Sequence, residues 1–508
     1  MSTLTRRTFL QQTTTASLAL SASFLRAADS PAKAKAGAAF NAVQVQPFSF
    51  YDEGIPRVLD LLQETAGINA LLIYSHLYHA GTDSPKDVLA GDHGVPVRDP
   101  KSRVHRKVWV RHSADAFKGS LLRPAAPDAK EEYLDRDLFA ELAEPCRARG
   151  MKLMARILEP QGPQYAKNIE NWLAVLTVDI DGKPGTVACW NHPDYRDYWQ
   201  RIAGDMFRNY PLDGFMVGAE RVGPLSRLLF KGETPTCFCE HCVKRAKAKG
   251  IDVTRVKEGF RELHTFITSM MKGDAAPPDG IFTTVLRHFL RYPELLAWER
   301  EWVYTLEEAV SMFSKTVKAA RPGTLTGRHV DHQQTSWDFL YRAAVSYAEM
   351  APTVDFLKPV VYHEITAPRV REWFVAAAHK SFLRELTEPQ TLDLFFALTG
   401  NDPTKEPALA ELMTRGFSPD YVYRETKRCV DGVAGKALVY PGVGFDIPMH
   451  LPEGPRRIMP EVAENVYLAT KKAFEAGAQG IVVCREYQEM RVPNLKAVGR
   501  AMREQGKL

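Results

Sequence analysis

Short apolar runs rich in β-branched and aromatic residues alternate along this chain with longer stretches whose apolar residues recur at helical spacing. Such alternation marks a parallel sheet with helical crossovers. Eight runs qualify as strands: 42–50, 69–78, 152–160, 212–220, 324–332, 355–364, 437–446 and 480–489. Helical segments precede four of them, at 56–67, 135–150, 194–210 and 460–477. Eight strand–helix units predict an α/β fold, a (β/α)8 TIM barrel. A doubly wound sheet is the main rival, but no G-x-G-x-x-G turn follows any of these strands. The gaps after the second and fourth strands predict long βα insertions at about 80–130 and 222–322, folding over the barrel mouth.

Composition narrows the class without naming a function. The chain has 508 residues, 45% hydrophobic and 25% charged, which excludes disordered, collagen-like and coiled-coil proteins. Residues 1–28 read as a twin-arginine signal peptide: Arg6-Arg7 followed by Phe9-Leu10, a mildly apolar stretch, then small residues suited to cleavage. Residues 29–40 read as a linker, leaving 41–508 for the barrel. The leader carries Arg6, Arg7 and Arg26, so the net side-chain charge falls from +5 to about +2 on its removal, and no basic stripe argues for nucleic acid. No later run of about 18 apolar residues follows, so the expected product is periplasmic or extracellular, with no membrane association after processing. A homo-oligomer is compatible with this composition.

Seven cysteines, an odd number in an exported chain, argue against a simple disulfide framework. Three of them form the C-x-C-x2-C cluster Cys237, Cys239 and Cys242. In a turn, such thiolates converge to the roughly 2.3 Å that tetrahedral Zn²⁺ requires. Cys189 is the first choice for the fourth ligand, on the reading that it starts the same βα excursion; His241 and Cys146 are alternatives. Four protein ligands close such a site, so the expected Zn²⁺ is structural, and no organic cofactor is expected.

In a TIM barrel the site lies at the C-terminal ends of the strands. The polar residues there are His76, Tyr78 and His79 on the second strand, Arg156 and Glu159 on the third, and Glu220 and Arg221 on the fourth. His329, Asp331 and His332 end the fifth; Lys358, Tyr362, His363 and Glu364 the sixth; Asp446 the seventh; Arg485, Glu486, Tyr487 and Glu489 the eighth. Glycoside hydrolysis needs two carboxyl groups flanking one bond, one protonated and one ionised. Glu220, where an apolar strand ends, is the expected acid; Asp446, Glu489 or Glu486 is the partner. His76, Arg156, His329, His332, Lys358, Tyr362, His363, Arg485 and Tyr487 are expected to bind substrate hydroxyls. His329 and Asp331 share a strand face while His332 points away, so they do not form a ready catalytic metal set. No G-x-S-x-G elbow, H-E-x-x-H helix or P-loop occurs.

The segments LDGFMVGAERVGPL, TCFCEHCVKRAKAKGID, YVYRETKR, VYPGVGFDIP and AGAQGIVVCREYQEMRVPNL resemble a family of exported (β/α)8 proteins described as glycoside hydrolases. The chain is also similar to the zinc-containing β-galactosidases of the large retaining glycosidase clan, with their C-x-C-x2-C cluster after the fourth strand. That resemblance implies an acid/base glutamate at the end of strand four, matching Glu220, and a nucleophile at the end of strand seven, where Asp446 stands; Ala219 occupies the clan's Asn position. The expected function is therefore an exported glycoside hydrolase acting on an oligosaccharide or glycoside. A saccharide-binding barrel without turnover and a metal-dependent sugar isomerase or lyase-like enzyme are the alternatives.

Overall fold

The computed structural model describes residues 39–78, 92–96, 104–159, 163–444 and 462–508. The expected signal peptide, most of the linker, His79 and Asp446 lie outside the described residues. One parallel sheet curls into a barrel whose strands we number β1 (Phe40–Val45), β2 (Ala70–His76), β3 (Lys152–Leu158), β4 (Gly214–Gly218), β5 (Leu325–Val330), β6 (Phe356–Pro359), β7 and β8 (Gly480–Cys484). The seventh strand comes in two pieces, Leu438–Val439 and Gly442–Gly444. The first piece pairs with β6 and the second with β8, and a bridge between Val360 and Gly442 completes the ring. Pro441 lies at the break and has no N–H to give to a ladder, which accounts for the interruption of the run expected at 437–446. The first expected strand, 42–50, is shifted: the ladder spans Phe40–Val45, and after Pro47 the chain coils into a short helix, Ser49–Asp52.

Alternation along each strand builds the barrel interior. Ala42, Ala70, Leu72, Met154, Met216, Phe356, Tyr440 and Val482 meet there as one buried cluster. Burying each large apolar side chain contributes roughly 1.5–3 kcal/mol. Small residues create room for large ones: a Cβ on Gly327 would lie 2.0 Å from the Phe356 ring. The outer helices follow amphipathic logic. Helix Ile55–Ala66 buries Val58, Leu59, Leu62 and Ala66, carries proline in its first turn and stops at Gly67, whose φ of 63° suits a residue without Cβ.

The excursions are longer and more numerous than the gaps suggest. Beyond β4 the chain forms helices Pro224–Lys231, Glu240–Ala248, Val253–Lys272 and Ile281–Arg291 before the 27-residue helix Glu294–Ala320 returns to β5. Two further excursions were hidden in the sequence. One, after β3, holds the antiparallel pair Leu176–Val178 and Pro184–Ala188; the other, after β6, is helical from His363 to Val433 with breaks. Among the described residues no helix is long and apolar enough to cross a membrane.

Candidate active site and cysteine cluster

At the C-terminal end of the barrel, polar and charged side chains replace the apolar layers below. Gln44 of β1, Tyr74 of β2, Arg156 of β3, His329 of β5 and Lys358 of β6 are all buried. Lys358 reaches across the interior to Gln44 Oε1 and His329 Nδ1, each at 3.2 Å, and to the Tyr362 hydroxyl. Gly442 makes this reach feasible, because a Cβ there would lie 2.5 Å from the Lys358 side chain. Arg156 stacks its guanidinium 3.8 Å over the Tyr74 ring and donates from Nη1 to Glu486 Oε1 at 3.0 Å.

Glu220 follows β4 at the rim of this network. Its side chain is 34% exposed, so it is reachable, and its Oε1 lies 3.4 Å from His329 Nε2. We assign the His329 tautomer from its neighbours: Nδ1 accepts from the Lys358 ammonium, leaving Nε2–H toward Glu220. Burial, the largest influence, raises the Glu220 carboxyl, but the hydrogen bond from His329 and the charges of His329, His332 and Arg369 outweigh it. The group is held well below the usual carboxylate range. His329 itself is pushed down to about 4 by burial and the Lys358 charge, so at neutral pH it is a neutral donor and Arg369 supplies the lasting positive charge. This lowering favours a base or nucleophile at this position over the acid expected there.

Glu486, just beyond β8, has the contrary environment. Burial pushes its carboxyl up and the Glu489 charge adds to this, while Arg156 offsets part of the rise. The charges of Glu220 and Glu486 both bear on Tyr74, whose hydroxyl is pushed far up by burial. Two carboxyl groups at one mouth thus have their proton affinities driven apart.

The other expected residues divide. His332 sits beside this centre, its Nδ1 2.7 Å from Asp331 Oδ1 and its Nε2 2.8 Å from Arg369 Nη1. Arg485 donates to Glu489 Oε1 at 2.8 Å, and its carbonyl accepts from Gln44 Nε2 at 2.6 Å. Tyr487 is turned to the rim, donating to Glu53 Oε2 at 2.6 Å. His76 is not brought to the centre. A register shift between Tyr74 and His76 turns the imidazole outward, where it meets His112 Nε2 at 3.2 Å, and His112 in turn contacts Asp205 at 2.8 Å. His363 also leaves the interior: it opens helix His363–Arg369, is fully buried, and is pushed down to about 4 by burial. Its neighbour Glu364 meets Asn465 of helix Val462–Glu475 at 3.5 Å. Gln44, Tyr74 and Arg369 carry no motif that would have singled them out.

The cysteines do come together. Cys189, Cys237, Cys239 and Cys242 place their sulfurs within 4.8 Å of one another, all as free thiols. Cys189 Sγ is 3.4 Å from Cys242 Sγ and 3.6 Å from Cys239 Sγ. The choice of Cys189 agrees with this grouping, but the expected reason does not. Cys189 belongs to the excursion after β3, and the other three belong to the one after β4. The two are knitted by backbone bonds, Phe238 N to Val178 O at 2.7 Å and Ile180 N to Pro235 O at 3.0 Å. N–H donors from Val178 and Asn191 point at the sulfurs of Cys237 and Cys189, each at 3.4 Å, and the Asn191 side chain points at Cys242 at 3.3 Å. A buried set of four sulfurs with N–H donors around it is suited to holding a metal ion.

No protein-family profile and no curated protein sequence matches this chain. Solved structures do. The glycoside hydrolase domain of PgaB (BpsB) from Bordetella bronchiseptica is similar over 91% of this chain and 99% of its own length, at 11% identity and a TM-score of 0.50. The catalytic domain of β-amylase from Paenibacillus polymyxa follows over 93% of this chain and 100% of its own length, at 10% identity and 0.47. The β-galactosidase of Marinomonas ef1 matches over 92% of this chain, at 9% identity and 0.46, and the chain spans 59% of that protein's length. The likeness to the PgaB domain is one of fold, and it agrees with the barrel described above.

Proposed function

We propose that this protein is an exported glycoside hydrolase in which Glu220 is the ionised carboxylate, nucleophile or base, and Glu486 is the protonated acid. The observation that carries the reading is the opposed pair at the mouth, Glu220 pulled down and Glu486 pushed up. Carboxyl groups with separated proton affinities are what glycosidic cleavage needs. In this reading His329 and Arg369 keep Glu220 charged, and Arg156 orients Glu486 through the 3.0 Å contact. Glu489, tied to Arg485, holds the Arg485 side chain at the rim. The structural likeness to the PgaB domain, named as a glycoside hydrolase domain, is compatible with this chemistry.

We further propose that the four cysteines bind a structural Zn²⁺, held as thiolates at a closed site away from the reacting bond. Export would follow from Arg6-Arg7 and the segment after it, with the mature protein periplasmic or extracellular.

The test is a screen of residues 29–508 against aryl glycosides and oligosaccharides, with Glu220→Gln and Glu486→Gln alongside. Turnover should fall by orders of magnitude in both variants. Glu486→Gln should also remove the alkaline limb of the pH–rate profile, and aryl glycosides with good leaving groups should be least affected by it. Saccharide binding without turnover in the wild-type chain would replace the hydrolase with a binding barrel.

A further inference from the structure

Beside Glu220 lies a cleft of about 110 Å³ that the proposed chemistry leaves unused, lined by Val222, Arg227, Phe230, Gln333, Trp337 and Trp373 among others. Its two tryptophans sit on irregular turns directly above the barrel: Trp337 on the π-helical segment Gln333–Trp337 after β5, Trp373 on the π-helical segment Val370–Ala376 after β6. Such wide turns are unfavourable in a plain connection and recur at functional sites. Trp337 is nearly buried, but Trp373 is 38% exposed, unusual for a side chain of its size beside a polar centre. The rings stand 5.7 Å apart at 74°, so Trp337 forms a wall to the Trp373 floor. Arg369 lies 5.2 Å over the Trp373 ring.

His332 stands between the cleft and the candidate active site. The His332 ring is 5.0 Å from Trp337 and 5.9 Å from Trp373, His332 touches Asp331 at 2.7 Å, and Asp331 and Glu220 offer oxygens within 4.8 Å of each other. Val222, two residues beyond Glu220, lines the same cleft. A partly exposed indole, a second indole at its side, and the polar side chains of Ser226, Arg227, Lys231, Gln333 and Asp338 line one concave site that mixes aromatic surface with hydrogen-bonding groups. One chemical occupant fits this combination and its place beside a sugar-cleaving carboxylate: a pyranose ring, its C–H face on Trp373 and its hydroxyls toward Gln333 and Arg227.

We propose that the Trp337–Trp373 cleft is a binding subsite for a second sugar ring, so that the substrate is a saccharide chain of at least two pyranose units. This rests on the hydrolase reading. The experiment compares wild type, Trp373→Ala and Trp373→Phe on cellotetraose, maltotetraose, chitotetraose and β-1,4-galactotetraose and on the corresponding nitrophenyl monosaccharides. On the tetrasaccharide that is turned over, Trp373→Ala should lower kcat/KM at least tenfold more than on the monosaccharide glycoside, mainly through KM, and Trp373→Phe should recover most of the loss. Equal losses on both substrates, or no loss, would overturn the subsite while leaving the hydrolase standing. Where no tetrasaccharide is turned over, tryptophan emission of the unmodified chain is titrated with the same four sugars. Quenching that Trp373→Ala weakens tenfold keeps the subsite and removes the hydrolase, whereas no response to any of the four overturns the subsite.

Discussion

The barrel mouth and the cysteine cluster are both built where excursions leave the sheet, but they solve opposite electrostatic problems. At the mouth, the carboxyl groups of Glu220, Asp331, Glu486 and Glu489 lie among the cationic side chains of Arg156, Lys358, Arg369 and Arg485, with Arg156 on Glu486, Arg485 on Glu489, and Lys358 and Arg369 on His329 and His332, so the protein supplies counter-charge from its own side chains. In the cluster, four sulfurs converge with only N–H donors and no cationic side chain in hydrogen-bond contact among the described residues. A site that neutralises itself can hold one group ionised and another protonated, which is what catalysis by proton transfer needs. A site that gathers four sulfurs without counter-charge is suited to a metal ion, whose binding energy would go into folding.

That contrast predicts a double dissociation, the largest effect expected here. Glu220→Gln should lower kcat by a factor on the order of 10² to 10⁴ and leave the melting temperature and zinc content as they were. Cys239→Ala should remove the zinc, measured by metal analysis, and lower the melting temperature and yield, with the surviving folded fraction turning over normally. If purified wild-type protein carries no zinc, or if Cys239→Ala spares stability while abolishing turnover, the comparison fails.

Next in size is the tie between the two regions. Arg221, the neighbour of Glu220, forms a buried ion pair with Glu159 and donates to the Ala188 carbonyl at 2.6 Å, one residue before Cys189. Gln334 braces the same loop through the carbonyls of Ala219 and Arg221 at 3.4 and 3.3 Å. Breaking a buried pair by removing one partner costs roughly 3–5 kcal/mol, so Arg221→Met should destabilise the chain. The double variant Arg221→Met with Glu159→Gln, which leaves no orphaned charge, should recover much of that stability. Its kcat should stay reduced, on the order of tenfold to a hundredfold, with zinc retained. Full recovery of kcat would mean that Glu220 needs no brace from the cysteine side.

The effect expected to be smallest on turnover is one of pH on stability. Glu299 lies under the turn after Glu220, accepting from Leu225 N at 2.8 Å, and burial, aided by the nearby Asp338 charge, pushes it up to about 8. A carboxyl raised on folding favours the folded state most below its unfolded value, and this contribution is lost as pH rises toward the folded value. Stability should therefore decline between about pH 4.5 and 8, with a limiting slope of roughly 1.4 kcal/mol per pH unit from this one group. Glu299→Gln keeps the acceptor and should flatten that decline in melting temperature. An unchanged slope would show that Glu299 is solvated.

The sequence disclosed the barrel because its eight strands are short, β-rich and separated by turn or helical signals; seven of the eight expected runs contain a strand and the first, 42–50, overlaps one. Glu220 was legible because an apolar run ends on it. The direction of a side chain was not. Strict alternation would send Tyr74 and His76 to the same side, but the irregular register between them sends Tyr74 inward and His76 toward His112. The helix that begins at His363 likewise leaves Tyr362 in the interior while carrying Glu364 to Asn465. The cysteine set was legible from composition and spacing, since few arrangements satisfy four nearby thiols, although the two excursions that bring them together could not be separated by reading along the chain. Arg369 and Trp373 belong to an excursion that gave no signal of its own.

The divided seventh strand also bears on how the barrel opens and closes. Among the described residues, the wall between β2 and β3 carries six paired positions, whereas the two pieces of β7 hold two on one side and three on the other, with the single Val360–Gly442 bridge between β6 and the second piece. Amide exchange should therefore begin along this seam, with Val439 and Val443 losing protection before Leu72 or Ala155. On the inside, this seam is crossed by Lys358 and Tyr362, which pack against Gly442, so the polar centre doubles as the clasp of the barrel.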